Sequence, residues 1–180
     1  MNFQELDLAG VRLITPERHE DERGYFMRTW CRDAFAREIG GVDFVQASQS
    51  YNRQAGTLRG LHYQRAPYGE AKLVRCIRGA VYDVVADIRP WSPTYGQWIG
   101  VELSQSNGYA LFIPEGLAHG FQTLDDESEL AYQISTPYRP EMAGGVRWND
   151  RTLNIRWPLP VTVMSRRDME LPDLATVCAA

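Results

Sequence analysis

Residues 72–89 read KLVRCIRGAVYDVVADIR, two runs of alternating apolar and polar positions that meet at Gly79. Period-two alternation marks a half-buried strand, because successive side chains point to opposite faces of a sheet. In the second run Val81, Asp83, Val85 and Asp87 share one face. GQWIGVELSQSNGYALFIP (96–114) predicts another strand pair turning at Ser106, Asn107 and Gly108. GFQTLDDESELAYQIS (120–135) predicts a third, with its turn in the acidic patch at 125–128. Turn signals every 8–12 residues or so are the spacing of an all-β sandwich or barrel.

One segment breaks this rhythm. RDAFAREIGG (32–41) predicts a helix, with Asp33 placed to cap its start and Gly40 or Gly41 to end it. The tail after Trp157 is rich in proline and charge and is expected to wrap the surface. No internal repeat, low-complexity tract or linker interrupts the chain, so residues 1–180 are expected to form one domain. Hydrophobic residues at 44% and charged residues at 23% suffice for a real core. A net charge of −4 argues against non-specific nucleic-acid binding but permits a small positive pocket.

No run of apolar residues is long enough to span a bilayer. The N-terminal MNFQELDLAGVRLITP lacks the basic start and apolar block of a signal peptide. Cys31, Cys76 and Cys178 are odd in number and far apart. They read as reduced thiols in a cytoplasmic protein rather than a disulfide framework or zinc site.

Chemistry enters with the three histidines. His19, in PERHEDERG, lies among charges and reads as solvated. His62, in LRGLHYQ, and His119, in IPEGLAHGF, sit inside apolar strand patterns. Taken singly, each reads as a core histidine satisfied by backbone groups. The chain has no His-x-His, and these two are far apart in sequence, which argues against a metal centre. Their company changes the picture: Arg59, Lys72, Asp83 and Tyr132 also lie on or beside strands. A solid core would leave so many polar groups unsatisfied, so a lined cavity is the better expectation. Arg59 and His62 fall on opposite faces of an ideal strand, and a bulge near Gly60 would bring them together.

The motifs DERGYF (21–26), FVQASQS (44–50), LRGLHYQ, KLVRCIRGAVYDVVADIR, SPTYGQW (92–98), IPEGLAHGF, WND (148–150), IRWP (155–158) and SRRD (165–168) stand in one order. That order resembles the dTDP-4-dehydrorhamnose 3,5-epimerase family over about residues 10–170. The resemblance implies a cupin-like jelly-roll β barrel with short peripheral helices, working as a homodimer without metal or other cofactor. It implies an isomerase whose substrate is a thymidine diphosphate 4-keto-6-deoxy sugar, inverted at C3 and C5 towards dTDP-L-rhamnose for polysaccharide biosynthesis. By the same resemblance His62 removes the proton, Asp168 orients that imidazole, Lys72 stabilises the enolate, and Tyr132 returns a proton on the opposite face. Arg59 and His119 match positions near the diphosphate and sugar. Arg23 and Gln46 match positions that hold the nucleotide, partly across the dimer interface, and Tyr138 is a further substrate contact.

Four positions depart from the family's usual pattern. Arg28 stands where glutamate is common, and Ser48 where asparagine is usual. Pro137 precedes a single Tyr138 where two adjacent tyrosines are frequent, and Ala143 replaces a common glutamate. These leave the acid–base set intact and fall on nucleotide and sugar contacts. They leave open an epimerase of C3 alone, an epimerase of another nucleotide keto-sugar, and a binding homologue without turnover. A metal-dependent cupin is the remaining alternative.

Overall fold

The alternating runs become strands whose apolar faces close on one another. The computed structural model describes residues 1–177, so Cys178 lies outside the described residues. Strands β1 (Asn2–Glu5), β2 (Arg12–Thr15), β3 (Arg18–Asp21) and β4 (Gly24–Met27) precede helix α1 (Arg32–Glu38). After it come β5 (Gln46–Asn52), β6 (Leu58–Gln64), β7 (Lys72–Arg78), β8 (Ala80–Asp87) and β9 (Trp98–Ser104). Then follow β10 (Ala110–Ile113), β11 (Leu117–Thr123), β12 (Ser128–Ile134) and β13 (Ala143–Gly145). The tail adds two single turns, α2 (Arg166–Met169) and α3 (Leu174–Val177).

One sheet has the order β1-β2-β10-β7-β12-β5 and the other β13-β6-β11-β8-β9, while β3 and β4 form a separate hairpin. This is the cupin-like jelly roll that the sequence led us to expect. The three predicted strand pairs need correcting, however. All six strands exist, but β7 and β8, β9 and β10, and β11 and β12 each divide between the two sheets. The cause is that both runs of each pair bury apolar residues in the same core. A period-two pattern says which face is buried, not which strand lies alongside. The turns at Gly79, at 106–108 and at 125–128 are therefore corners between sheets.

The inner faces meet in one apolar layer. Val74, Cys76, Leu111 and Leu130 come from the six-stranded sheet, and Val81, Val85, Leu103 and Phe121 from the five-stranded one. Outside the six-stranded sheet, Phe35 of α1 packs edge-on against Phe3, Phe44 and Phe112. Cys31 holds the N-cap position of α1 without a side-chain bond. Asp33, expected as the cap, lies in the first turn, where its charge suits the helix dipole. No helix among the described residues is long and apolar enough to cross a membrane.

The segment before Trp157 and the tail after it both pack on the five-stranded sheet. Val146, Leu153, Ile155 and Leu174 bury against Leu61, Val84, Ala86 and Ala118 on the outer face of the five-stranded sheet. Asp150 is buried and accepts the N–H groups of Thr152, Leu153 and Leu174. Past Trp157 the tail is itself anchored, through the buried Asp168 and Leu174, so it does not only wrap the surface.

The expected bulge is present. His119 stands opposite His62, but Phe121 stands opposite Arg59, so β6 carries one extra residue there. Leu61 then turns to the outer core while Arg59 and His62 line the same cavity. Gly60 makes this possible: its φ is +109°, and a Cβ there would come within 2.7 Å of the Gly120 Cα and the His119 carbonyl oxygen. Gly96 also has a positive φ, +76°, but nothing lies within 4 Å of where its Cβ would be. We therefore expect Gly96→Ala to cost about 1 kcal/mol, from backbone conformation alone. Gly60→Ala should cost about 3 kcal/mol or more, since the backbone must also move. Urea denaturation of both variants checks this, and equal costs would show that the β6–β11 approach is not tight.

Candidate active site

A cavity of about 450 Å³ opens between the two sheets. β6 and β11 supply one wall, and β5, β7 and β12 the other. Its polar groups are held from behind, one by one.

His62 projects from β6, and its Nε2 lies 2.7 Å from Asp168 Oδ1. Asp168 belongs to α2, which Ser165 caps by accepting the Asp168 N–H at 3.1 Å. The second carboxylate oxygen accepts the Gly60 N–H at 3.3 Å. The bulge and the His62 ring are therefore tied to the same carboxylate. Burial pushes the Asp168 carboxyl up. The hydrogen bond and charge of His62 oppose it, helped by Gly60 and Ser165, and hold it below the usual carboxylate range. Asp168 is thus ionised behind an imidazole whose other ring nitrogen remains for a reacting proton.

His119 is buried on β11, and its Nε2 donates to both oxygens of Asp83 at 2.9 and 3.0 Å. Asp83 is completely buried. Tyr132 stands edge-on to His119 from the opposite sheet, ring centres 6.1 Å apart. Burial first, and then the Asp83 charge, push the Tyr132 phenol above its ordinary range. The phenol is therefore neutral at physiological pH. Lys72 is 8% exposed and its Nζ lies 3.0 Å from Glu70 Oε1, which also lines the cavity. Arg59 donates from Nε to Asn52 Oδ1 at 2.7 Å.

Of the residues expected from the sequence, His62, Lys72, Tyr132, Gln46, Arg59, His119 and Tyr138 line this cavity, and Asp168 backs it. Arg23 does not line it; it sits in the β3–β4 turn with its guanidinium on Asp21. Ser48 and Ala143, two of the unusual positions, face the cavity, whereas Arg28 lies outside it near Cys31. Sequence reasoning missed Glu70, Asn52, Gln64 and Arg167, and it noticed Asp83 without giving it a place. Asp83 carried a usable signal, since a carboxylate alternating with core valines must have a buried partner. Glu70, two positions before Lys72, carried a weaker one. Asn52 and Gln64 look like ordinary strand ends.

A jelly-roll cavity with a histidine–carboxylate pair on one wall and a neutral phenol on the other defines a cupin-like acid–base enzyme. The relatives agree on a narrower class. The family model for dTDP-4-dehydrorhamnose 3,5-epimerase matches residues 5–176, and the chain belongs to that family of isomerases. It is 44% identical to the Sinorhizobium fredii dTDP-4-dehydrorhamnose 3,5-epimerase over 97% of this chain and 90% of that one. It is 41% identical to a dTDP-4-dehydrorhamnose 3-epimerase of Streptomyces niveus over 97% of this chain and 84% of that one. The crystal structure of a Legionella pneumophila 3,5-epimerase in complex with dTDP-4-keto-L-rhamnose superposes with a TM-score of 0.93 at 37% identity. That match covers 99% of this chain and 95% of the other.

The depressed Asp168 carboxyl makes a prediction about acid stability. A carboxyl that holds its proton less tightly when folded stabilises the protein above its ordinary value, 3.8, and loses that contribution as pH falls through the lower folded value. The stability gap between wild type and Asp168→Asn should therefore narrow on acidification. Urea unfolding in steps from about pH 6 downward would reveal it, and a constant gap would show that Asp168 is not selectively ionised by its partners.

Proposed function

We propose that the chain converts dTDP-4-dehydro-6-deoxy-D-glucose to dTDP-4-dehydro-L-rhamnose by removing and returning protons at C3 and C5. The observation that carries this reading is the placement of His62–Asp168 and Tyr132 on opposite walls of one cavity. Inverting a carbon needs a base on one face and an acid on the other, and a sugar lying between the sheets would meet both.

A hydrogen beside a ketone is on the order of a dozen pKa units less acidic than imidazolium, a gap of about 16 kcal/mol. A base alone cannot close it, so the developing enolate oxygen must be stabilised. His62 takes the proton, and Asp168 holds the ring and supports the imidazolium that forms. The electron pair moves on to the C4 oxygen, where the Lys72 ammonium is the nearby charge. Tyr132 then delivers its proton to carbon from the other side. The Lys72 ammonium pairs with Glu70 while lining the cavity, where its donors can also meet a ligand. Arg59, steadied by Asn52, and His119 suit the diphosphate and sugar in a chain that is otherwise net negative.

The working form is a homodimer in the cytoplasm. Supporting this, the β3–β4 hairpin leaves Phe26 71% exposed and holds Arg23 away from its own cavity, as expected of an arm that completes a neighbour's site. A second reading, inversion at C3 alone, is favoured by the 3-epimerase relative and by Ser48 and Ala143 in the cavity wall.

Incubation with dTDP-4-keto-6-deoxyglucose in deuterium oxide, followed by NMR, separates these readings. Exchange at both carbons supports the first, exchange at C3 alone supports the second, and exchange at neither overturns both. His62→Ala should lower exchange by about a thousandfold, within the usual range for loss of a general base. A folded His62→Ala protein that still exchanged would need another base. Tyr132→Phe should lose inversion by about a hundredfold while deuterium still enters C3 with retained configuration, because the imidazolium can return its proton to the face it left.

A further inference from the structure

Two loops form the rim of the cavity, residues 65–71 and 135–142, and one buried side chain joins them. Gln64 is the last residue of β6, two positions beyond His62, and is 3% exposed. Its Nε2 donates to the Tyr68 carbonyl at 2.6 Å and the Pro137 carbonyl at 3.3 Å. Its Oε1 accepts the Arg139 N–H at 2.8 Å. Both donor hydrogens and an acceptor lone pair are thus spent on backbone groups of the two rim loops. The bonds on Pro137 and Arg139 bracket Tyr138 on either side.

The rest of the rim is stitched independently. Thr136 Oγ1 donates to the Gly69 carbonyl at 2.7 Å, the Ala71 N–H donates to Ser135 Oγ at 2.8 Å, and the Arg139 guanidinium lies 4.2 Å above the Tyr68 ring centre. Tyr138 itself lines the cavity, is 55% exposed, and has no side-chain hydrogen bond among the described residues. Its position is therefore set by its backbone. On one side Pro137 restricts that backbone through its ring-locked φ. On both sides Gln64 holds it.

We infer that Gln64 is a positioning residue, which fixes the backbone on either side of Tyr138 and so places that ring against the bound substrate relative to His62. The inference rests on the epimerase reading given above. It concerns how the substrate is held, so its effect falls on KM rather than on proton transfer at the base.

The test is a double-mutant cycle. Gln64→Glu keeps the side-chain length and the acceptor for Arg139 but loses both donors and sets an acceptor against two carbonyls. Gln64→Met removes all three bonds without adding charge, and serves if the glutamate variant does not fold. Each is measured alone and in a Tyr138→Ala background, with KM and kcat taken from proton exchange at C3 in deuterium oxide. Alone, either variant should raise KM about tenfold and leave kcat within about threefold. In the Tyr138→Ala background the same change should move KM less than about twofold, because the residue it acts through is gone. An equal KM effect in both backgrounds overturns the inference, as does an unchanged KM or a loss confined to kcat. Parallel loss of melting temperature and kcat in both backgrounds would make Gln64 structural only, and would also overturn it. A wild-type chain that exchanges nothing overturns the epimerase reading itself, whereas an active wild type with independent effects overturns only the role of Gln64.

Discussion

The hydrogen bond between His62 and Asp168 joins residues 106 positions apart in the chain, and much of the architecture is arranged around keeping it. Asp168 reaches β6 only because the tail is anchored along the outside of the five-stranded sheet. Leu153, Ile155 and Leu174 supply the apolar contact, and Asp150 binds three backbone N–H groups. His62 faces the cavity only because β6 gains a residue at Gly60. The free N–H of that bulge is in turn satisfied by Asp168. The irregularity that aims His62 and the carboxylate that orients it are therefore one structural unit.

The same economy governs the other charges. A carboxylate withdrawn from water without a partner would take up a proton or destabilise the fold. Asp83, Asp168 and Glu70 each meet a cationic or proton-bearing group of the site: His119, His62 and Lys72. Each carboxylate leaves part of its partner available to a ligand. Asp83 has a second consequence, since its charge beside Tyr132 opposes ionisation of the phenol. A buried negative charge that holds one cavity-lining histidine also keeps the Tyr132 phenol on the far wall protonated.

How much of this could be read from the chain follows from the range of the forces involved. Strand positions were legible because burial on one face imposes a period of two, and all six strands at 72–89, 96–114 and 120–135 are where the alternation put them. Their partners were not, because pairing depends on which sheet each corner leads to. The bulge at Gly60 was legible as a conflict, two functional side chains on opposite faces of an ideal strand. That His62, Lys72, Tyr132 and Asp168 meet at one cavity was legible mainly through ordered motifs. The supporting residues were not: Asn52 and Gln64 bond to backbone groups more than seventy positions away, and nothing in their neighbours' spacing announces it. Asp33 shows the opposite error, a good capping residue displaced by two positions because Cys31 begins the helix.

A two-sheet barrel is a natural frame for inverting a carbon centre. The base and the acid must approach one atom from opposite sides, and the two walls of a sandwich already face each other across a gap of the right kind. Here β6 carries His62, the proposed base, and β12 carries Tyr132, the proposed acid, and neither has to leave its sheet. What remains to be chosen is how the sugar lies between them, and that falls to the rim and to the cavity floor. Of the unusual residues Pro137 lies on the rim, whereas Ser48 lies on β5 opposite Tyr132 and Ala143 at the start of β13. Rim residues such as Pro137 can therefore change without disturbing the strands that carry His62 and Tyr132. On this division a relative that inverts C3 alone and one that inverts C3 and C5 need differ only in how they seat the ring.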